Sequence, residues 1–331
     1  MADTAAAPLT LTSPPDGALA RAERFVWRTA RVLEQRLFAH HFREGAAAPV
    51  ETALEAYRND DGGYGHALEP GLRGPASLPE HTARALRVLD AVGRCDARRA
   101  EHVCRYLTSV STAEGALAAV RPVGNGRGAA RMPDAPGALS ATGPVVGLLH
   151  RNEVWHAWLF RATHFCWQAV ELLEAARPGE VEAAVLFLDH APDRARAEAA
   201  AERLGRLVRR ESLAVLDPAD LDPDPSASAL GTDPPTADAG TRRPSAPDPD
   251  APRLPHDYAR TPDSLARAWF TDAEMARSLD LLAAGRREDG GWPVRHLAHT
   301  PEHAPLALLE ARPMATIEAL RTLAAYGRPV T

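Results

Sequence analysis

The chain has 331 residues, 45% of them hydrophobic, and 44 acidic residues against 38 basic ones leave a net charge of −6. That is enough apolar surface for one large helical domain or two modest ones, and the interleaved, mildly acidic charge carries no nucleic-acid footprint. Every basic residue is Arg, which excludes a Schiff-base lysine, a pyridoxal-phosphate anchor and a P-loop lysine, so an anionic ligand must be held by Arg, His or helix N-termini.

Residues 1–16 hold several Pro, Thr and Ala and are expected to form a flexible tail ahead of a single domain over 17–331. No basic stretch followed by an apolar core marks a signal peptide, and no apolar run reaches the ~20 residues of a membrane span. Cys95, Cys104 and Cys166 form no C-x-x-C pair, and the expected location is the cytoplasm.

A helical pattern covers about 17–43, and a second helix, about 50–58, stops at Asn59-Asp60-Asp61-Gly62-Gly63 because the glycines permit positive φ. Ser77-x-x-Glu80, with Pro79 in the first turn, predicts a capped helix running to Gly93. Helices at about 96–110, from Ser140 through Leu149, over 153–176, and at about 179–190 and 193–213 follow. From 217 to about 255 the composition shifts to Asp, Pro, Ser, Ala and Thr, which cannot offset ordering entropy and predicts a disordered insertion. Thr271-x-x-Glu274 then opens a helix carrying Met275, Leu279 and Leu282. No segment reads as a strand.

Two stretches are near copies. Asp61-Gly62-Gly63-Tyr64 precedes Thr82-x-x-Ala85-Leu86-Arg87-x-Leu89-x-Ala91-x-Gly93-Arg94, and Asp289-Gly290-Gly291-Trp292 precedes Thr316-x-x-Ala319-Leu320-Arg321-x-Leu323-x-Ala325-x-Gly327-Arg328. Glu114-Gly115-Ala116-Leu117 reads as a degenerate third turn. Helix, Gly-aromatic turn, helix is one supersecondary unit, and its recurrence predicts an all-α stack of hairpins whose first and last members become neighbours.

These Gly-aromatic turns, together with Pro79-Glu80-His81-x-x-Arg84-Ala85, resemble the repeats of squalene-hopene-type terpene cyclases and protein prenyltransferase β subunits. The resemblance implies an α/α toroid, with inner helices around a central cavity and outer helices wrapping them. It covers both ends of the chain well and the middle weakly. The Asp-x-Asp-Asp proton-donor motif, the Asp-rich metal motif and the prenyltransferase Asp-x-Cys zinc pair are all missing, and only 5% of the residues are aromatic. A fold of this kind hosts unrelated activities.

The loop Asp61-x4-His66-x2-Glu69-x3-Arg73 brings an acid, a base and a guanidinium to an expected inner-helix entrance. His66, Glu69 or Asp61 would perform acid–base chemistry and Arg73 would hold an anionic group, unless Asp61 merely caps the turn and Glu69 pairs with Arg73. His81 would face the same opening, and Arg295 and His296 repeat part of this chemistry near the last turn. Glu153, His156 and His164 are weaker candidates for one helix face, and no complete metal-ligand set can be assembled. The expected ligand is an apolar or isoprenoid small molecule, with no cofactor and no nucleic-acid partner. The alternative is a non-enzymatic binding or scaffold protein.

Overall fold

The computed structural model describes residues 17–119, 137–217, 253–295 and 304–330. The expected tail 1–16, nearly all of the expected insertion 217–255 and His296 lie outside the described residues. Among the described residues the chain is all-α, with twelve α-helices, one 3-10 turn and three isolated β-bridges in place of any strand.

Two helices, α1 (Ala18–Thr29) and α2 (Val32–Phe42), replace the single one expected over 17–43. Ala30 and Arg31 are extended between them. The Arg31 guanidinium donates to the carbonyls of Ala67 and Leu68 and pairs with Glu34. A tertiary contact therefore ends α1, and no local Gly or Pro announces it.

Next come α3 (Ala48–Glu55), α4 (Pro79–Ala91), α5 (Ala97–Val110), α6 (Leu139–Arg151), α7 (Ala157–Glu171), α8 (Pro178–Leu188) and α9 (Arg194–Arg210). The short α10 (Pro255–Tyr258), the 3-10 turn (Leu265–Trp269), α11 (Asp272–Ala284) and α12 (Ala304–Ala325) complete the order. The expected Thr271–Glu274 capping box is present at α11. The expected Ser77 cap of α4 is not, because the N-cap is Leu78 and Ser77 Oγ donates instead to Asp61 Oδ1 at 2.8 Å.

Packing sorts the helices into two sets. In the first, α4 lies on α6, α6 on α8, α8 on α10, and α12 on α2. The second covers the first: α3 on α2, α5 on α4, α7 on α6 and α8, α9 on α8, α11 on α10 and α12, and α1 on both α2 and α12. One apolar cluster runs through both sets, from Phe25 and Phe38 through Leu107, Trp158 and Phe187 to Leu320. Fully burying a side chain of this size stabilises by roughly 1.5–3 kcal/mol. The α6–α8 contact is backbone-close because Gly147 has no Cβ; one placed there would lie 2.1 Å from the Leu186 carbonyl oxygen.

The edges of the expected insertion are joined. Arg253 N donates to Leu213 O at 3.0 Å, and Val215 N donates to Arg253 O at 2.8 Å. Arg253 and Leu254, which composition placed inside the insertion, are buried and lead into α10. No described helix is long and apolar enough to cross a membrane.

Candidate functional site

Three turns share one geometry. In the first, Asn59 N donates to Gly63 O (3.0 Å) and Tyr64 N to Thr82 Oγ1 (3.2 Å). In the second, Thr112 N donates to Ala116 O (2.9 Å) and Leu117 N to Thr142 Oγ1 (2.9 Å). In the last, Arg287 N donates to Gly291 O (2.9 Å) and Trp292 N to Thr316 Oγ1 (3.0 Å). Gly62, Gly115 and Gly290 take φ of 88°, 84° and 93°, the left-handed region that favours glycine. The Glu114–Leu117 turn is thus a true copy of the other two.

Each turn also bears on the covering helix of the next hairpin. A Cβ at Gly62 would meet His102 O of α5 at 2.4 Å, and one at Gly115 would meet Ala162 N of α7 at 2.8 Å. At Gly290 it would meet Arg21 O of α1 at 2.4 Å. The last turn therefore uses the first helix as its next neighbour.

Most residues singled out in the first loop hold the loop itself. Asp61 Oδ1 accepts from Gly63 N at 2.8 Å and from Ser77 Oγ. His66 is exposed, with Nε2 2.9 Å from Asn59 Oδ1. Glu69 does not pair with Arg73; its carboxylate lies 3.5 Å from Arg84 and 3.6 Å from Arg87. Arg73 instead pairs with Glu310 of α12, tying the first loop to the last helix. His81 is fully buried, with Nδ1 accepting from Glu69 N at 2.8 Å, so it anchors the loop from beneath. Arg295 is half-buried, and with burial and Arg260 it helps keep the His256 ring neutral despite Asp257.

Beneath the loop is a buried ionic cluster that sequence reading missed. Glu34 is almost wholly buried and lies 2.5 Å from Arg31 and 3.3 Å from Arg84. Burial opposes its ionisation, but the Arg31 hydrogen bond and the Arg31 and Arg84 charges hold its carboxyl below the usual range. The one available signal was a Glu on the apolar stripe of α2, between Leu33 and Leu37.

Away from this cluster, the first set of helices shares a second face. On α4, α6 and α8 most positions are buried and a partly accessible stripe recurs at helical spacing, and the accessible positions of α12 include a similar stripe. The stripes are Ala83, Arg87 and Asp90; Pro144, Leu148 and Arg151; Glu182, Leu186 and His190; and Met314, Glu318 and Arg321. Ion pairs join them across helices: Asp90 to Arg151 at 3.2 Å, and Arg260, which follows α10, to Glu182 at 2.7 Å and Glu318 at 3.5 Å. The Arg260 side chain keeps 41% of its surface accessible while lying deep among protein atoms. Leu148, Leu186 and Met314 are the larger apolar positions of these stripes.

Glu153, His156 and His164 do not form one helix face. Glu153 lies in the loop before α7 with φ of 53°, His156 is the N-cap, its Nδ1 accepting from Trp158 N, and His164 is exposed. Among the described residues no group of three or more His, Cys, Asp or Glu is placed to hold a metal ion. A surface groove of about 740 Å3 between α9 and the 3-10 turn, lined by Gly205, Arg209, Leu265 and Trp269, shares no lining residue with these groups.

No family model matches the chain, and no curated protein does. Among solved structures, a crystal structure of a protein from Actinoplanes is similar with a TM-score of 0.53 at 15% identity, covering 93% of this chain and 98% of that one. At this identity the likeness concerns the fold alone.

Proposed function

We propose that the helices form an α/α toroid and that the protein binds a small amphipathic molecule, an apolar body of isoprenoid size with a charged head, in the recess between its inner helices. The observation that carries this reading is the set of partly accessible stripes on α4, α6, α8 and α12, which combine apolar Leu148, Leu186 and Met314 with charged positions joined by ion pairs across helices. An apolar lining with a few convergent polar groups is the usual make-up of a small-molecule site. Asp61, Glu69 and His81 are engaged in holding the first loop, which favours binding over acid–base chemistry by that group. The reading is tested by titrating decan-1-ol, a neutral probe of the apolar section, into the wild type and Leu186→Trp. Saturable binding that is lost in Leu186→Trp supports the recess; equal heats in both proteins would sink it.

A further inference from the structure

The solvent face of α9 is ordered in a way that the helix itself does not require. Beyond the first turn its exposed positions are Glu198, Ala199, Glu202, Arg206, Arg209 and Arg210, which fall on one stripe at helical spacing. These positions are symmetric about Leu204, and the symmetry exchanges sign. Glu198 mirrors Arg210, Glu202 mirrors Arg206, and Ala199 mirrors Arg209. Compensation of the helix dipole does not explain this order, because the first turn holds Arg194 and Arg196 and no acid.

A two-fold contact uses the same patch on both chains, so the patch must be complementary to itself. This stripe is, when two copies run antiparallel with the axis beside Leu204. Glu198 then meets Arg210 of the second copy, and Glu202 meets Arg206. The existing partners of these side chains do not stand in the way. Glu202 and Arg206 pair at 2.5 Å along the helix with both side chains exposed, and Arg210 pairs with Glu211 at 2.8 Å on the surface. Exposed pairs of this kind are weak, and a carboxylate can accept from a second guanidinium. Arg209 is the exception that fits. It is fastened to Trp269 O at 2.6 Å and to Glu274 at 2.6 and 2.7 Å, and its mirror position, Ala199, brings no charge that needs it.

The groove beside the stripe supplies apolar surface to cover. Ala201, Gly205, Leu265 and Trp269 line it. A Cβ at Gly205 would lie 2.5 Å from Trp269 Cδ1, so the indole rests directly on the backbone of α9. Two antiparallel α9 helices, each lying over the groove of the other, would bury this surface twice while the charges along the rim fix the register.

We propose that the protein forms a two-fold homodimer in which the α9 helices pack antiparallel, each over the other's groove, with Glu198–Arg210 and Glu202–Arg206 pairs between the copies.

Sedimentation velocity on the wild type and two charge-reversed variants tests it. One variant carries Glu198→Arg with Glu202→Arg, and the other Arg206→Glu with Arg210→Glu; Arg209 is left in place because it fastens the 3-10 turn. Thermal melts show whether each variant is folded. One helix and one groove per chain make an interface at the small end of the stable range, so a dissociation constant on the order of 10 μM is expected, which loading at about 1 to 300 μM spans. Each variant alone opposes like charges at every pair and should associate about a hundredfold more weakly. Mixing the two in equal amounts should restore a dimer, because a basic stripe then meets an acidic one. A wild type that stays monomeric over the whole range would overturn the proposal. Wild-type-like dimers of either variant alone would place the interface elsewhere and overturn it too. So would folded variants that fail to associate on mixing.

Discussion

The first and last turns have the same backbone and are fastened by different chemistry. At the first, Asp61 and Asn59 reach Ser77 and the Pro75 carbonyl through hydrogen bonds alone. At the last, Asp289 receives both arms of Arg312, at 2.7 and 2.8 Å, and that guanidinium lies 4.6 Å from the centre of the Phe25 ring of α1. Leu78 occupies the position of Arg312 in the first copy, and both contribute the carbonyl that the repeat Thr hydroxyl donates to. The conserved part of the unit is thus the glycine geometry and the Thr bond. What surrounds the acid is free to change with the neighbour that must be held.

The glycines are the strongest test of that equivalence. Val at Gly62 or Gly290 would combine positive φ with a backbone oxygen 2.4 Å from the new Cβ, and each should lose on the order of 3–5 kcal/mol in chemical denaturation. Similar losses at both sites are expected, and a loss at one site only would break the equivalence. Gly63→Val and Gly291→Val meet mainly side chains, Ser77 and Tyr106 or Phe25, which can shift. These should cost less, roughly 1–3 kcal/mol.

The fastenings should separate next. Arg312→Ala leaves Asp289 without its pair, and with Asp289 about half exposed the expected loss is about 2 kcal/mol, below that of a fully buried pair. Asp61→Ala removes hydrogen bonds from neutral donors to an exposed carboxylate and should cost about 1 kcal/mol. Denaturation midpoints for the two variants decide it, and equal losses would mean that the ion pair adds nothing to the last turn.

The shared Thr bond should be worth the same in all three copies. Thr82→Val, Thr142→Val and Thr316→Val each leave a buried backbone N–H without its acceptor, and each should lose about 1–2 kcal/mol. A spread much wider than this would show that the turns are alike in shape but not in energy.

The smallest expected difference is in pH dependence. Arg321 lies near His41, whose folded pKa of about 4 is below the ordinary 6.5. Between those values the unfolded chain takes up a proton that the folded chain does not, so this contribution is complete above pH 6.5 and is lost as the pH falls toward 4. For a partly accessible ring the loss at pH 5 should be about 1 kcal/mol. Arg321→Gln should raise the His41 pKa and flatten the profile, whereas Arg87→Gln should leave it unchanged. Histidine titration by NMR and urea melts at pH 5 and 7 measure both.

The residues that were legible in sequence are those whose role is local. Asp61-Gly62-Gly63 and Asp289-Gly290-Gly291 announce their turns through backbone chemistry, Thr271 and Glu274 announce a cap, and even Glu114–Leu117 could be read as a worn copy. Partnerships across the fold could not be read. Arg73 sits four residues from Glu69, yet Glu310 takes it because the closing helix brings that carboxylate alongside. Ser77 had a helix to cap and bonds Asp61 instead. The break at Ala30–Arg31 and the burial of Glu34 arise from the same loop docking on α2. The stripe residues Leu186, Glu318 and Arg321 read as ordinary amphipathic helix positions until their helices face one another.

The last turn bears on Arg21 of α1 as the first bears on His102 of α5, so in the proposed toroid the series of hairpins would have no terminal member to fray. An open solenoid can lose its end repeats one at a time, each at the cost of a single interface. In the proposed toroid, detaching any hairpin would sever two interfaces, so partial unfolding would be penalised and the transition should be all-or-none. The closing contacts, such as Arg73 with Glu310, also join the residues most distant in sequence. Forming them carries the largest loop-closure entropy, which makes docking of α12 on α1 and α2 the step expected to limit folding.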